Sequence, residues 1–199
     1  MALSRNIRIM ISSRCDDPLS LDGKKGGPTF SEIRKELKQE IEAQQLFGAP
    51  AFEVWINEEA PPQGGTWDSW DTCLNAVKDC DILIALYNGN AGWASEAGDI
   101  GICHDELSTA YSTTPDKVRL VALPEIAVDN SAAGKRNQRF QEYVKTQTRF
   151  RGGTVKTVDD LKQRVREALR EAVVRLAQGG VLEGSRGQYS IGRRSIGIA

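Results

Sequence analysis

The chain has 199 residues, 40% of them hydrophobic, and 26 basic residues nearly balance 27 acidic ones for a formal net charge of −1. This length and apolar content suit one globular core rather than two. The neutral balance argues against the basic footprint of a nucleic-acid binder, so no direct nucleic-acid binding is expected.

Four cysteines (Cys15, Cys73, Cys80 and Cys103) lie outside any CxxC spacing, which predicts reduced, core-lining thiols rather than disulfides or zinc. The N-terminus lacks the apolar core of a signal peptide, and no run approaches the ~20 apolar residues that span a bilayer. A cytoplasmic protein without a membrane anchor is expected.

In chain order, "NIRIMISS" (6–13) alternates Ile7, Ile9 and Ile11 with Arg8, Met10 and Ser12 and reads as a first strand. The following Pro- and Gly-containing stretch, with Gly23, Gly26 and Gly27, reads as a long mobile loop. Thr29 and Glu32 form a T-x-x-E capping box, and Ile33, Leu37, Ile41 and Leu46 continue at near-helical spacing, predicting a helix over 30–46 stopped by Gly48. "AFEVWIN" (51–57) is a second strand, followed by a loop that carries Trp67. A helix over 68–79 comes next, with Trp70, Leu74 and Val77 on one stripe.

The unbroken apolar run "DILIALY" (81–87) marks a strand buried on both faces, the centre of a parallel sheet. A third loop leads to a helix through "GICHDELSTAY" (101–111), and "KVRLVALP" (117–124) is a fourth strand. "GKRNQRFQEYVKTQT" reads as a short helix, and "GGTVKTV" as the place for a short edge strand. Thr157 caps a last helix with the stripe Leu161, Val165, Leu169, Val173 and Leu176. Residues 1–178 form the α/β domain on this reading. Residues 179–199 lack periodicity and read as an irregular tail leading into a longer chain.

Strands alternating with helices predict a flavodoxin-like, doubly wound sheet of four or five parallel strands flanked by helices. Such sheets bind ligands at the carboxyl ends of the strands, where the strand order reverses. At those ends lie Ser12, Ser13, Arg14, Trp55, Asn57, Tyr87 and Asn88, with Trp93 and Asp99 in the third loop. Hydroxyls, amides and an arginine suit a sugar or phosphate, and tryptophan offers a flat face to a base. Ser12, Ser13, Arg14, Tyr87, Asn88 and Trp93 are therefore the candidate residues for a nucleotide ligand.

The helix over 101–111 contributes a carboxylate. With Cys103, Leu107 and Ala110 as its core stripe, Glu106 lies three residues beyond Cys103 and flanks the buried face. Burial raises a carboxyl pKa while a helix N-terminus lowers it, a balance typical of working acids. Glu106 is the candidate catalytic residue. His104, the single histidine, faces away from that stripe, and Glu58 and Glu59 read as solvated loop charges. GxxxxGK[ST], a GxGxxG turn, GxSxG and HExxH do not occur, so no NTPase loop, dinucleotide turn, hydrolase elbow or metal site is expected.

"IRIMISSR", "AVKDCDILIALYNGNAGW" and "GICHDELSTAY" together resemble the bacterial domain of unknown function 4062, a TIR-like family often found at the front of larger defence or signalling proteins. The order of elements is also similar to TIR domains and nucleoside 2-deoxyribosyltransferases. The likeness covers roughly residues 5–125. In the W-C-x-x-E-L pattern of TIR domains, Ile102, Cys103, Glu106 and Leu107 occupy the corresponding places, and the tryptophan is missing.

The resemblance implies that Glu106 cleaves the N-glycosidic bond of NAD or a related nucleotide, with NAD as substrate rather than cofactor. It also implies self-association. Two other readings remain open: a protein-interaction module, and a sensor that binds a nucleotide without cleaving it.

Overall fold

A computed structural model describes residues 6–19, 21, 27–60, 69–94, 98–148 and 154–192, with side chains up to residue 179. Four strands, β1 (Ile7–Ser12), β4 (Phe52–Trp55), β5 (Ile82–Tyr87) and β6 (Val118–Ala122), form one parallel sheet in the order β4-β1-β5-β6. Ile9 pairs with Val54 on one side and with Ile82 on the other, and Leu86 pairs with Val121. The expected flavodoxin-like α/β architecture holds, with four strands.

Strand periodicity divides the side chains between two cores. Ile9, Ile11, Ile82, Ile84 and Leu86 face α1 (Phe30–Glu42) and α5 (Val158–Gly192). Met10, Leu83, Ala85 and Tyr87 face α2 (Ser69–Asp79), α3 (Ile102–Thr113) and α4 (Ala132–Gln147). Ser12 continues the Met10 row, so its side chain is directed towards α3. Apolar residues at both phases of β5 are what a central strand covered on both faces requires.

The Thr29–Glu32 capping box is formed, but α1 ends at Glu42 and not at 46. Gln45–Leu46 (β2) and Ala49–Pro50 (β3) pair as a two-residue hairpin. Phe47 and Gly48 both take positive φ, 53° and 82°, the combination that matches strand twist in such a turn. Leu46 is consequently exposed and not on the helix stripe.

The segment after β1 is pinned where it is described: Leu19 and Leu21 are buried, and Leu19 N–H donates to Pro28 O at 2.8 Å. Gly23 and Gly26, like Trp67, lie outside the described residues.

On α2, Cys73 and Val77 are the buried positions, with Trp70 packed against the same core and Leu74 only partly covered. The helix expected to be short is the 16-residue α4, capped by Ser131. No strand occurs over the described residues 154–157; Val155 is buried and its N–H donates to Ala122 O at 2.9 Å.

Leu161, Val165, Leu169 and Ala172 are the buried residues of α5, whereas Leu176 is exposed. The helix continues to Gly192, through the stretch whose lack of periodicity had suggested an irregular tail. Backbone hydrogen bonding carries a helix on where no apolar stripe marks it. Among the described residues, no helix is long and apolar enough to cross a membrane.

Candidate functional site

The strand order reverses between β1 and β5, and the cleft there is built by three elements. The first is the end of β1, which places Ser12, Ser13 and Arg14. The second is the loop after β5. Ala91 O accepts from Cys103 N–H and Trp93 O accepts from Ile102 N–H, both at 2.9 Å, so the loop closes onto the first turn of α3. Glycine is required at this junction. Gly92 has φ 88°, and a Cβ on Gly101 would lie 2.1 Å from Ala91 O. The third element is α2, which brings Ser69 and Cys73.

The cleft is narrow, with room for about 40 Å³ of solvent. Ser13, Arg14, Trp93 and Glu106 line it, together with Trp55, Asn57 and Arg34. Trp93 is 44% exposed and meets Trp70 edge-on at 5.3 Å between ring centres. Trp70 Nε1 in turn donates to Asp105 Oδ2 at 2.9 Å, which ties the aromatic wall to α3. A second, still tighter hollow shares Ser13, Arg14 and Cys103 with the first and adds Ser12, Tyr87, Asn88 and Asn90.

Glu106 is 5% exposed and sits fully on the buried face of α3 rather than beside it. Its Oε2 accepts from Ser12 Oγ at 2.5 Å. Burial pushes its pKa above the ordinary carboxylate value, while hydrogen bonds from Ser12 and Cys73 and the charge of Arg34 act in the opposite direction. The site therefore holds a desolvated carboxyl beside aromatic surfaces, with two arginines whose charge suits an anionic part of a ligand.

The six candidate ligand residues all reach this edge of the sheet, but in different roles. Ser13, Arg14 and Trp93 face the Glu106 cleft, and Arg14 Nε reaches Asp17 Oδ1 at 3.4 Å. Ser12 is buried and bonded to Glu106. Tyr87 Oη donates to Glu125 Oε1 at 2.6 Å, and Asn88 Oδ1 accepts from Asn90 N–H at 3.0 Å. Both of these side chains line the second hollow with part of their bonding capacity spent.

Asp99 is not in the cleft: its side chain is 87% exposed and pairs with Arg139 at 3.2 Å. His104 does not face outward. It is half-buried between helices, its ring 5.1 Å from Phe140 and 4.8 Å from Tyr143 on α4, and burial lowers its pKa.

Glu58 is no solvated charge either. It forms an ion pair with Arg34, whose side chain is 2% exposed. Arg34 and Cys73 were not anticipated at the site. A signal existed for Arg34: it lies four residues after Phe30 and three before Leu37, on the buried stripe of α1, where an unpaired charge is costly. Among the described residues, no three His, Cys, Asp or Glu side chains gather as a metal site would need.

The family model described as "Domain of unknown function (DUF4062)" matches residues 28–170. That span runs from α1 into the first part of α5 and includes Glu106, and it leaves β1 with Ser12 outside. No curated protein and no solved structure matches the chain.

Proposed function

We propose, from the premise that this chain belongs to the DUF4062 family, that the domain binds NAD or a related nucleotide in the switch-point cleft and cleaves its N-glycosidic bond. On this reading the domain is TIR-like and serves as the effector part of a bacterial defence or signalling protein. The observation that carries the reading is the buried Glu106 carboxyl at the floor of a cleft walled by Trp55 and Trp93.

Breaking a ribosyl N-glycosidic bond leaves oxocarbenium character on the sugar. Glu106 supports that charge electrostatically or captures the carbon covalently. Nicotinamide is a good leaving group and needs little proton donation, which fits a cleft lined, among the described residues, by one carboxylate and no histidine. Trp93 and Trp55 offer stacking faces, and Ser13 and Arg14 offer polar contacts for ribose and phosphate.

The test is incubation of the purified protein with NAD while nicotinamide is followed by chromatography, with and without conditions that promote assembly. Glu106→Gln keeps size and packing but removes the charge, and is expected to lower the rate at least ~100-fold. Equal measurable rates for wild type and variant overturn the role of Glu106.

The second reading, a nucleotide sensor, is favoured by one feature: Oε2 of Glu106 is already engaged by Ser12. Calorimetric binding without release of nicotinamide would select it. Self-association belongs to the same proposal, and light scattering is expected to find a dimer or larger species at high concentration. Monomer alone would count against it.

A further inference from the structure

Glu106 is connected through the sheet to a residue on the opposite face. The odd-numbered residues of β1 turn their backbone groups towards β4, as the 2.8 Å bond from Ile7 N–H to Ala51 O shows. The pairing of β1 with β4 ends at Met10 and Trp55, and the chain after β4 bends into a 3-10 turn at Asn57–Glu59. The carbonyls of Ile11 and Ser13 thus run past the last strand partner on that side.

Arg34, carried by α1, fills the place. Its Nη1 donates to Ile11 O and to Ser13 O, each at 3.4 Å. Nη2 donates to Cys15 Sγ at 3.0 Å and is held by Glu58 from the 3-10 turn. The two clamped carbonyls flank Ser12, whose hydroxyl donates to Glu106 Oε2 at 2.5 Å.

We infer that Arg34 is a positioning residue for Glu106: its guanidinium stands in for the missing strand, holds the end of β1, and so makes Ser12 present its hydroxyl to the carboxylate. Ser12 then serves the carboxylate and not the ligand. A forked, planar guanidinium can span two carbonyls, whereas the ammonium of lysine is a point donor. Four groups act on Glu106, one from each element around it: Ser12 from β1, Cys73 from α2, Arg34 from α1 and Asp105 from α3 itself. Only Arg34 acts both by its charge and through Ser12, and Arg34→Lys separates these effects by keeping the charge and losing the fork.

The consequence for turnover rests on the proposed glycosidic cleavage, but the relay can be read without it. Carbon-13 labelling of glutamate carboxyl groups lets the titration of Glu106 be followed by NMR in the ligand-free protein, its signal assigned by its loss in Glu106→Gln. Ser12→Ala is expected to move the midpoint to higher pH, because a bond favouring the charged form is gone, and Ser12→Thr to restore it. Arg34→Lys is expected to move it in the same direction, with little further movement when combined with Ser12→Ala.

An Arg34→Lys shift of the same size with and without Ser12 overturns the relay, as does a Ser12→Ala midpoint equal to that of wild type. If Arg34→Lys does not fold, Glu58→Ala, which removes the acceptor that holds Nη2, must show the same Ser12-dependent shift, and its absence overturns the proposal. In the NAD assay, Ser12→Ala is expected to lower kcat about tenfold with KM kept. A raised KM with kcat kept would return Ser12 to ligand binding. Absence of any turnover in wild type would remove the glycosidic reading while the titration still decides the relay.

Discussion

The desolvated carboxyl of Glu106 has a consequence for stability as well as for chemistry. Its folded-state pKa lies above the unfolded value, so folding favours the protonated form. The stability it contributes is full below the unfolded pKa and is lost as pH rises through the folded pKa. Glu106→Gln, neutral throughout, is therefore expected to raise Tm at pH 7, with an advantage that shrinks as the pH falls into the acid range. Thermal melts across that range check the sign, and a Gln variant less stable at pH 7 than at pH 4, each relative to wild type, would contradict it.

The cysteines offer a second test at this scale. Burial pushes Cys80 up to about 11 and raises Cys73 and Cys103 further, whereas Cys15 is half-buried in the cleft wall. Cys15 is expected to react first with a thiol reagent, and the other three only on unfolding. Mass spectrometry of the partly labelled native protein identifies the site.

Among the elements, β4 poses a problem because it is an edge strand, and an unpaired edge recruits other chains. Helix α1 covers that edge with side chains. Glu42 Oε1 accepts from Val54 N–H at 2.9 Å, and Lys38 Nζ donates to Val54 O at 2.7 Å. Replacing both by alanine is expected to cost about 1 kcal/mol for each lost bond and to make aggregation depend more steeply on concentration. Denaturant melts and light scattering read the two effects. Helices α3 and α4 are joined by His104, which stacks on Phe140 and meets Tyr143 at a tilt. His104→Ala is thus a packing variant, expected to lose about 1 kcal/mol and unsuitable as an inert surface control.

For the molecule as a whole, the sheet is covered on one face by α1 and α5 and on the other by α2, α3 and α4, and the Glu106 cleft opens at the carboxyl edge of the strands. Among the residues of α5 whose side chains are described, the last buried one is Ala172, while Val174 and Leu176 are exposed. From there to Gly192 the helix extends about 30 Å at 1.5 Å per residue. A chain ending at Gln178 is expected to keep the Tm of the longer one within a degree or two, since it retains every buried residue among those described. A drop of several degrees would show that the later part of α5 packs against the domain.

What the linear chain determined follows from short-range rules. Period-two alternation in β1, the unbroken apolar run of β5 and the Thr29–Glu32 box each express a local preference readable within a few residues, and their order implies a parallel sheet with its switch point beside Ser12. Glu106 was legible because it falls on a helix stripe next to Cys103. Tertiary structure decided what depends on distant partners. Glu58 becomes a buried ion pair only because Arg34 reaches it from another element, His104 is covered only because α4 packs beside α3, and α1 stops at Glu42 because Phe47 and Gly48 turn the chain into a hairpin. Ser12 is the clearest case. Its hydroxyl suits a ligand in any strand-end loop, but the pleat turns it towards α3, and its partner is a carboxylate 94 residues away. No local spacing encodes that pairing, which exists only once the sheet and α3 have closed on each other.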